Sequence, residues 1–209
     1  MDRFFTIKED VSCEIVEKKS KFIANIYYVE SVQEAEELIK QINKKYFDAR
    51  HNCYAFCICT KNGKVNRFSD DGEPSGTAGG PMLNILTSQN LSNILVIVTR
   101  YFGGILLGTG GLVKAYTEAT IEALNKANIV KKELGKELKI SVNYQDLEKF
   151  KYYLKQNSIF ISNIEYAENV EFFIDITQEK MEKMLAQKEN LNFKLLDIMV
   201  AREKFIVVE

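Results

Sequence analysis

Both prolines of this chain and four of its eleven glycines fall within thirteen residues, SDDGEPSGTAGGP at positions 69–81. No helix or strand interior tolerates that density of φ-fixing and φ-freeing residues, so the chain must change direction there through an irregular loop. A second break follows. The apolar run NILVIVTRY, residues 93–101, reads as a buried central strand and flows into GGILLGTGG, residues 103–111. Helical periodicity resumes behind it, with Leu112, Tyr116, Ala119, Ala123 and Ala127 on one face.

The rest of the chain is regular. Val11, Cys13 and Ile15, then Phe22, Ala24, Ile26 and Tyr28, alternate as strands around a polar connection over residues 17–21. Ser31 and Glu34 have capping-box spacing ahead of a helix with an apolar stripe from Val32 to Ile42. Residues 52–60 read as a buried strand, and Asn62-Gly63 is the favoured pair for a tight hairpin turn into residues 65–68. Pro81 opens a short helix through Leu86. Residues 128–137 read as a linker or domain edge. After them come a strand from Leu138, a helix over 146–156, strands over 159–165 and 169–176, a helix over 177–188 and a closing strand from 192. That βαββαβ order is the ferredoxin-like pattern. The expectation is therefore α+β, with one domain over residues 1–130 and a second over 137–209.

Composition narrows the function. The chain carries 28 Lys+Arg against 29 Asp+Glu, and residues 1–130 hold 15 of each sign. Bulk charge therefore gives no nucleic-acid affinity, and any such binding needs a local cationic patch. No apolar run approaches the ~20 residues that a membrane-spanning helix requires. The first residues, MDRFFTIKED, lack the apolar core of a signal peptide, and the four cysteines read as reduced thiols, so the expected location is cytoplasmic with no membrane partner.

Three constellations bear chemistry. The loop at 103–111 reads as an anion site. Gly103, Gly104, Gly108, Gly110 and Gly111 let backbone approach a ligand, Arg100 ends the preceding strand, and Lys114 stands in the first helical turn. No Gly-Lys-Ser/Thr follows, and the glycine spacing does not fit a dinucleotide fingerprint. A loop crowded against neighbouring backbone is the structural alternative. In the loop at 69–81, Asp70, Asp71 and Glu73 could hold magnesium or act as acid and base beside His51, the only histidine. Ser75 and Thr77 could cap the next helix or meet a phosphate. Cys53, Cys57 and Cys59 lie on one strand, which cannot wrap its own residues around an ion, so they read as small core side chains. Lys18, Lys19, Lys21, Arg50 and Arg67 would extend an anion-binding surface if the fold gathers them.

Taken together, KKSKF at 18–22, HNCYA at 51–55, DDGEPSGTAGGP at 70–81 and VTRYFGG…GTGGLV at 98–113 resemble the YigZ/IMPACT family over about residues 15–127. The resemblance implies a ribosomal-protein-type α/β sandwich like domain IV of elongation factor G. A smaller ferredoxin-like domain similar to that factor's domain V would follow. Eukaryotic members are linked to translational control. Their partner-binding RWD domain has no counterpart in these 209 residues, so that interaction is not carried over. A peptidase activity has been ascribed to the family, but the sequence holds no metal or nucleophile arrangement for one. The expected function is a non-catalytic RNA- or ribosome-binding modulator of translation, needing no cofactor, with a translation factor or other protein as a further partner. The alternative is a small-molecule enzyme, a hydrolase or transferase acting on a phosphorylated or nucleotide ligand.

Overall fold

The computed structural model describes residues 3–60 and 63–208. The chain divides into two compact units, Arg3–Lys131 and the part from Lys132 on. Both are mixed α+β.

The first unit runs β1 (Arg3–Ile7), β2 (Val11–Glu17), β3 (Ser20–Tyr28), α1 (Val32–Lys45), β4 (His51–Thr60), β5 (Gly63–Ser69), α2 (Gly79–Ser88), β6 (Ile94–Tyr101) and α3 (Gly108–Lys126). Strand β1 had no signal in the sequence. It is anchored by the Phe5 and Ser92 backbones and by the Lys8 N–H donating to the Asn128 carbonyl. The remaining strands form an antiparallel sheet in the order β2-β3-β6-β4-β5. Strand β6 lies at its centre, and every residue but the last is buried. Its apolar residues serve both faces. Val96 and Val98 join Phe22, Ala24, Cys53 and Ala55 against α2 and α3. Leu95 and Ile97 join Phe56 and Ile58 against α1. Ala115, Ala119 and Ala123 keep α3 slim, so it packs close across β2 and β3. The Ser31 hydroxyl caps α1 by accepting from the Glu34 N–H (3.1 Å), and Glu34 reaches back to the Glu30 N–H (2.7 Å), one residue further than a strict capping box. Thr60 pairs with Gly63, but the anticipated turn residue Asn62 lies outside the described residues.

Residues 129–137 are strand rather than linker, since β7 spans Ile129–Val142 without a break, and the boundary between the two units falls within it. After a single 3-10 turn come α4 (Leu147–Gln156), β8 (Phe160–Tyr166), β9 (Val170–Thr177), α5 (Gln178–Ala186) and β10 (Leu195–Val208). In the second unit β9 lies between β7 and β8, and β10 pairs with β7. Its core gathers Leu138, Ile140, Phe172 and Ile174 from the sheet against Phe150, Leu154 and Met184 from α4 and α5.

Candidate functional site

The carboxylates of the loop at 69–81 are committed to the fold. Asp70 Oδ1 accepts the N–H groups of Ala78 (3.1 Å) and Gly79 (2.8 Å), while Oδ2 accepts that of Gly76 (2.8 Å). Asp70 therefore meets the N–H of the N-cap residue and of the first residue of α2 from outside the helix, the task anticipated for Ser75 or Thr77. Thr77 is buried and bonds the Pro74 carbonyl (2.6 Å), and Ser75 is exposed. Asp71 Oδ2 accepts the Asn52 N–H (2.6 Å). Its carbonyl oxygen lies 2.7 Å from His51 Nδ1, which places the proton on that nitrogen, since a carbonyl only accepts. Among the described residues no group of three or more His, Cys, Asp or Glu is arranged to hold a metal ion.

Glu73 is buried at the centre of a polar network. Its Oε1 accepts from Arg100 Nη1 (2.7 Å) and from the Tyr116 hydroxyl (2.9 Å), with His51 Nε2 at 3.8 Å. Cys53 Sγ sits 3.3 Å from the Tyr116 hydroxyl and 3.0 Å from the Asp70 carbonyl. Burial pushes the Cys53 thiol up to about 12, so it stays protonated and is no nucleophile at neutral pH. Burial likewise drives the Tyr116 phenol well above its usual range, with the Cys53 and Glu73 neighbours adding to the shift.

Arg100, expected to hold phosphate, does not face solvent. It is 5% exposed, and its guanidinium lies between the rings of Phe22 (5.5 Å to the centroid) and Phe102 (5.7 Å). A guanidinium so enclosed needs Glu73 as its counter-charge. Lys21 is paired with Glu14 (3.3 Å) and Arg67 with Glu36 (2.9 Å), so both are partly neutralised. The Arg50 side chain is exposed, and its backbone N–H donates to the Arg100 carbonyl (3.1 Å). Arg100, Glu73 and Tyr116 are thus structural partners, and Tyr116 was legible in the sequence only as one more residue of an apolar helix face.

Other cations of this unit, Lys18 and Lys19 among them, are exposed. Glu17 pairs with Ser20, so the β2–β3 connection is a two-residue turn made of Lys18 (φ 44°) and Lys19 (φ 63°). Such turns require positive φ at both positions and favour Asn-Gly. Two lysines there are strained. The turn is held against the second glycine loop. A Cβ on Gly103 would fall within the Lys19–Ser20 backbone, and the Gly103 N–H donates to Ser20 Oγ (3.2 Å). Gly104 needs its freedom for another reason, a φ of +83° with open space around it. The helix begins earlier than its apolar periodicity suggests: Gly108, Gly110 and Gly111 form the first turn of α3. No side chain caps that end and no acid stands in the first turn. Lys114 is exposed on the same helix but stands in its second turn rather than its first, because α3 already starts at Gly108.

Comparison with known proteins agrees with this architecture. Residues 18–124 match the Impact N-terminal domain, and residues 140–187 match DUF1949, a domain of unknown function. YvyE of Bacillus subtilis (strain 168), an IMPACT family member, is 43% identical over 81% of this chain and 77% of its own length. YigZ of Escherichia coli (strain K12) is 33% identical over 89% of this chain and 92% of its own. A crystal structure of a hypothetical protein superposes over 100% of this chain and 98% of its own, with a TM-score of 0.64 at 30% identity. With the Impact N-terminal domain spanning its first unit and relatives aligned along most of its length, the chain belongs to the IMPACT family.

Proposed function

We propose that the protein modulates translation by engaging RNA on the ribosome, through a cationic surface made of the Lys18–Lys19 turn, the uncapped start of α3 and Lys114. The observation that carries this reading is the contrast between two helix ends on one face of the sheet. The N–H of Gly79, the first residue of α2, is met by Asp70, whereas α3 opens without a capping side chain, and Lys18, Lys19 and Lys114 are exposed. Unpaired N–H groups at a helix start favour phosphate oxygens, and adjacent ammonium groups add a salt-sensitive attraction. Arg50 extends the surface; Arg100 supports it from beneath. Family membership supports the translation-linked role. A ribosomal-protein-type first unit and a ferredoxin-like second unit belong to the same reading, the latter supported by the βαββαβ order and by β9 lying between β7 and β8.

The test is co-sedimentation with purified ribosomes at low and moderate salt, comparing the parent with Lys18→Asn/Lys19→Gly. That pair removes two charges while supplying the residues the turn geometry favours. The variant should be more stable by about 1 kcal/mol yet lose salt-sensitive binding. Undiminished binding by the variant would remove the lysine turn from the interface. A folded parent that never sediments with ribosomes would refute the function itself.

A further inference from the structure

The exposed side of the same surface carries more than charge. Phe102 follows the central strand directly and is 41% exposed. Its ring lies over the Arg100 guanidinium, which is itself fixed by Glu73 below. The ring is thereby held in place, leaving part of its surface to solvent. Beside it in the same loop Ile105 and Leu106 are exposed, Leu106 at 82%, and Val16 is exposed near the end of β2. Through Gly103 this apolar loop packs against the backbone of the lysine turn, so the exposed ring and the exposed lysines are carried on backbone segments in contact, one local feature.

We infer that this feature selects unpaired nucleotides: Phe102 offers a platform on which a base stacks while Lys18, Lys19 and the start of α3 hold the flanking phosphates. The inference rests on the RNA-binding reading above and narrows its ligand. Bases inside a duplex have their faces covered by their neighbours, whereas a single strand presents them to a ring. A phenylalanine has no hydrogen-bonding group, so recognition is indifferent to base identity. Lys18, Lys19 and Lys114, all exposed, supply the charge that a polyanion requires.

Fluorescence anisotropy at low salt tests this with two probes: a labelled unstructured RNA of about 12 nucleotides, and the same strand annealed to its complement. The parent should prefer the single strand by about tenfold. Phe102→Leu, which keeps apolar bulk over Arg100 but removes the ring, should weaken single-strand binding about five- to tenfold and leave duplex binding unchanged. Phe102→Tyr, which keeps the ring, should stay within about twofold of the parent. A thermal melt of each variant confirms that the fold persists. Equal affinity for strand and duplex, or a Leu variant that binds like the parent, overturns the stacking inference and leaves the RNA reading standing. A parent that binds neither probe but still sediments with ribosomes also overturns it, and places a ribosomal protein on the surface. A parent that binds neither probe nor ribosomes overturns both readings.

Discussion

Removing the negative charge of Glu73 should unfold the first unit far more readily than its small size suggests. Glu73→Gln keeps the shape and an oxygen for the Tyr116 hydroxyl, but it leaves the Arg100 guanidinium buried without a counter-charge. No nearby acid can take its place without loss, because Asp70 and Asp71 are already engaged by backbone N–H groups. Removing one partner of a buried ion pair costs about 3–5 kcal/mol, and the retained amide oxygen puts the expected loss near the lower end, about 3 kcal/mol. Replacing both partners, as Glu73→Gln/Arg100→Met, should recover at least about 1 kcal/mol, since contacting residues are not additive. The chain supplies its own local reporter. All four cysteines, Cys13, Cys53, Cys57 and Cys59, lie in the first unit and are buried. Thiol labelling across a urea series therefore follows that unit alone. If Glu73→Gln moves the labelling midpoint by the equivalent of less than about 0.5 kcal/mol, within the range of an ordinary surface substitution, Arg100 does not depend on Glu73. The carboxylate would then be free for the acid–base or cation chemistry of the enzyme reading.

Gly103→Ala and Gly104→Ala separate close approach from backbone conformation. The first forces a methyl group into the Lys19–Ser20 backbone and should cost about 3 kcal/mol or displace the lysine turn. The second only strains a positive φ in open space and should cost about 1–2 kcal/mol; comparing their urea midpoints checks the order. In the second unit, the hydrogen bond from Lys204, joined by that from Arg202, holds the Glu137 carboxyl below its usual range. A lowered folded-state value means the stabilisation is present above the ordinary glutamate range and is lost as pH falls through the lowered one. Glu137→Gln should therefore be less stable than the parent at pH 7, with the gap closing in acid, as read by circular dichroism in urea.

How much of this was legible depends on where each residue finds its partner. Helix α1 announces itself because Ser31 and Glu34 act on neighbours a few positions away. Strand β6 does so because five consecutive apolar residues have no other use. Arg100 was misplaced for the opposite reason. Its counter-charge Glu73 is 27 residues away, and a strand-end arginine beside glycines looks like a surface ligand until the fold encloses it. Asp70 resembled a cation ligand because the amides that satisfy it belong to a helix nine residues on. The turn at Lys18–Lys19 was read as a longer polar connection because lysine rarely adopts positive φ, so no local propensity marks it. The charged stretch after residue 128 looked like a linker because a strand with half-buried charged residues has no apolar alternation to betray it.

The order β2-β3-β6-β4-β5 also sets a schedule for a chain emerging during synthesis. Two hairpins, β2–β3 and β4–β5, are complete once Ser69 has been made, but in the finished sheet they never touch each other. The strand that joins them, β6, ends about 30 residues later at Tyr101, on the order of 2–6 s of synthesis. During that interval β3 and β4 each present an unpaired edge, with the cysteines of β4 exposed to whatever is nearby. Nascent chains of this protein should therefore be most prone to mispairing, and to capture by chaperones, in the window between those two residues, and should settle abruptly once β6 slides between its neighbours.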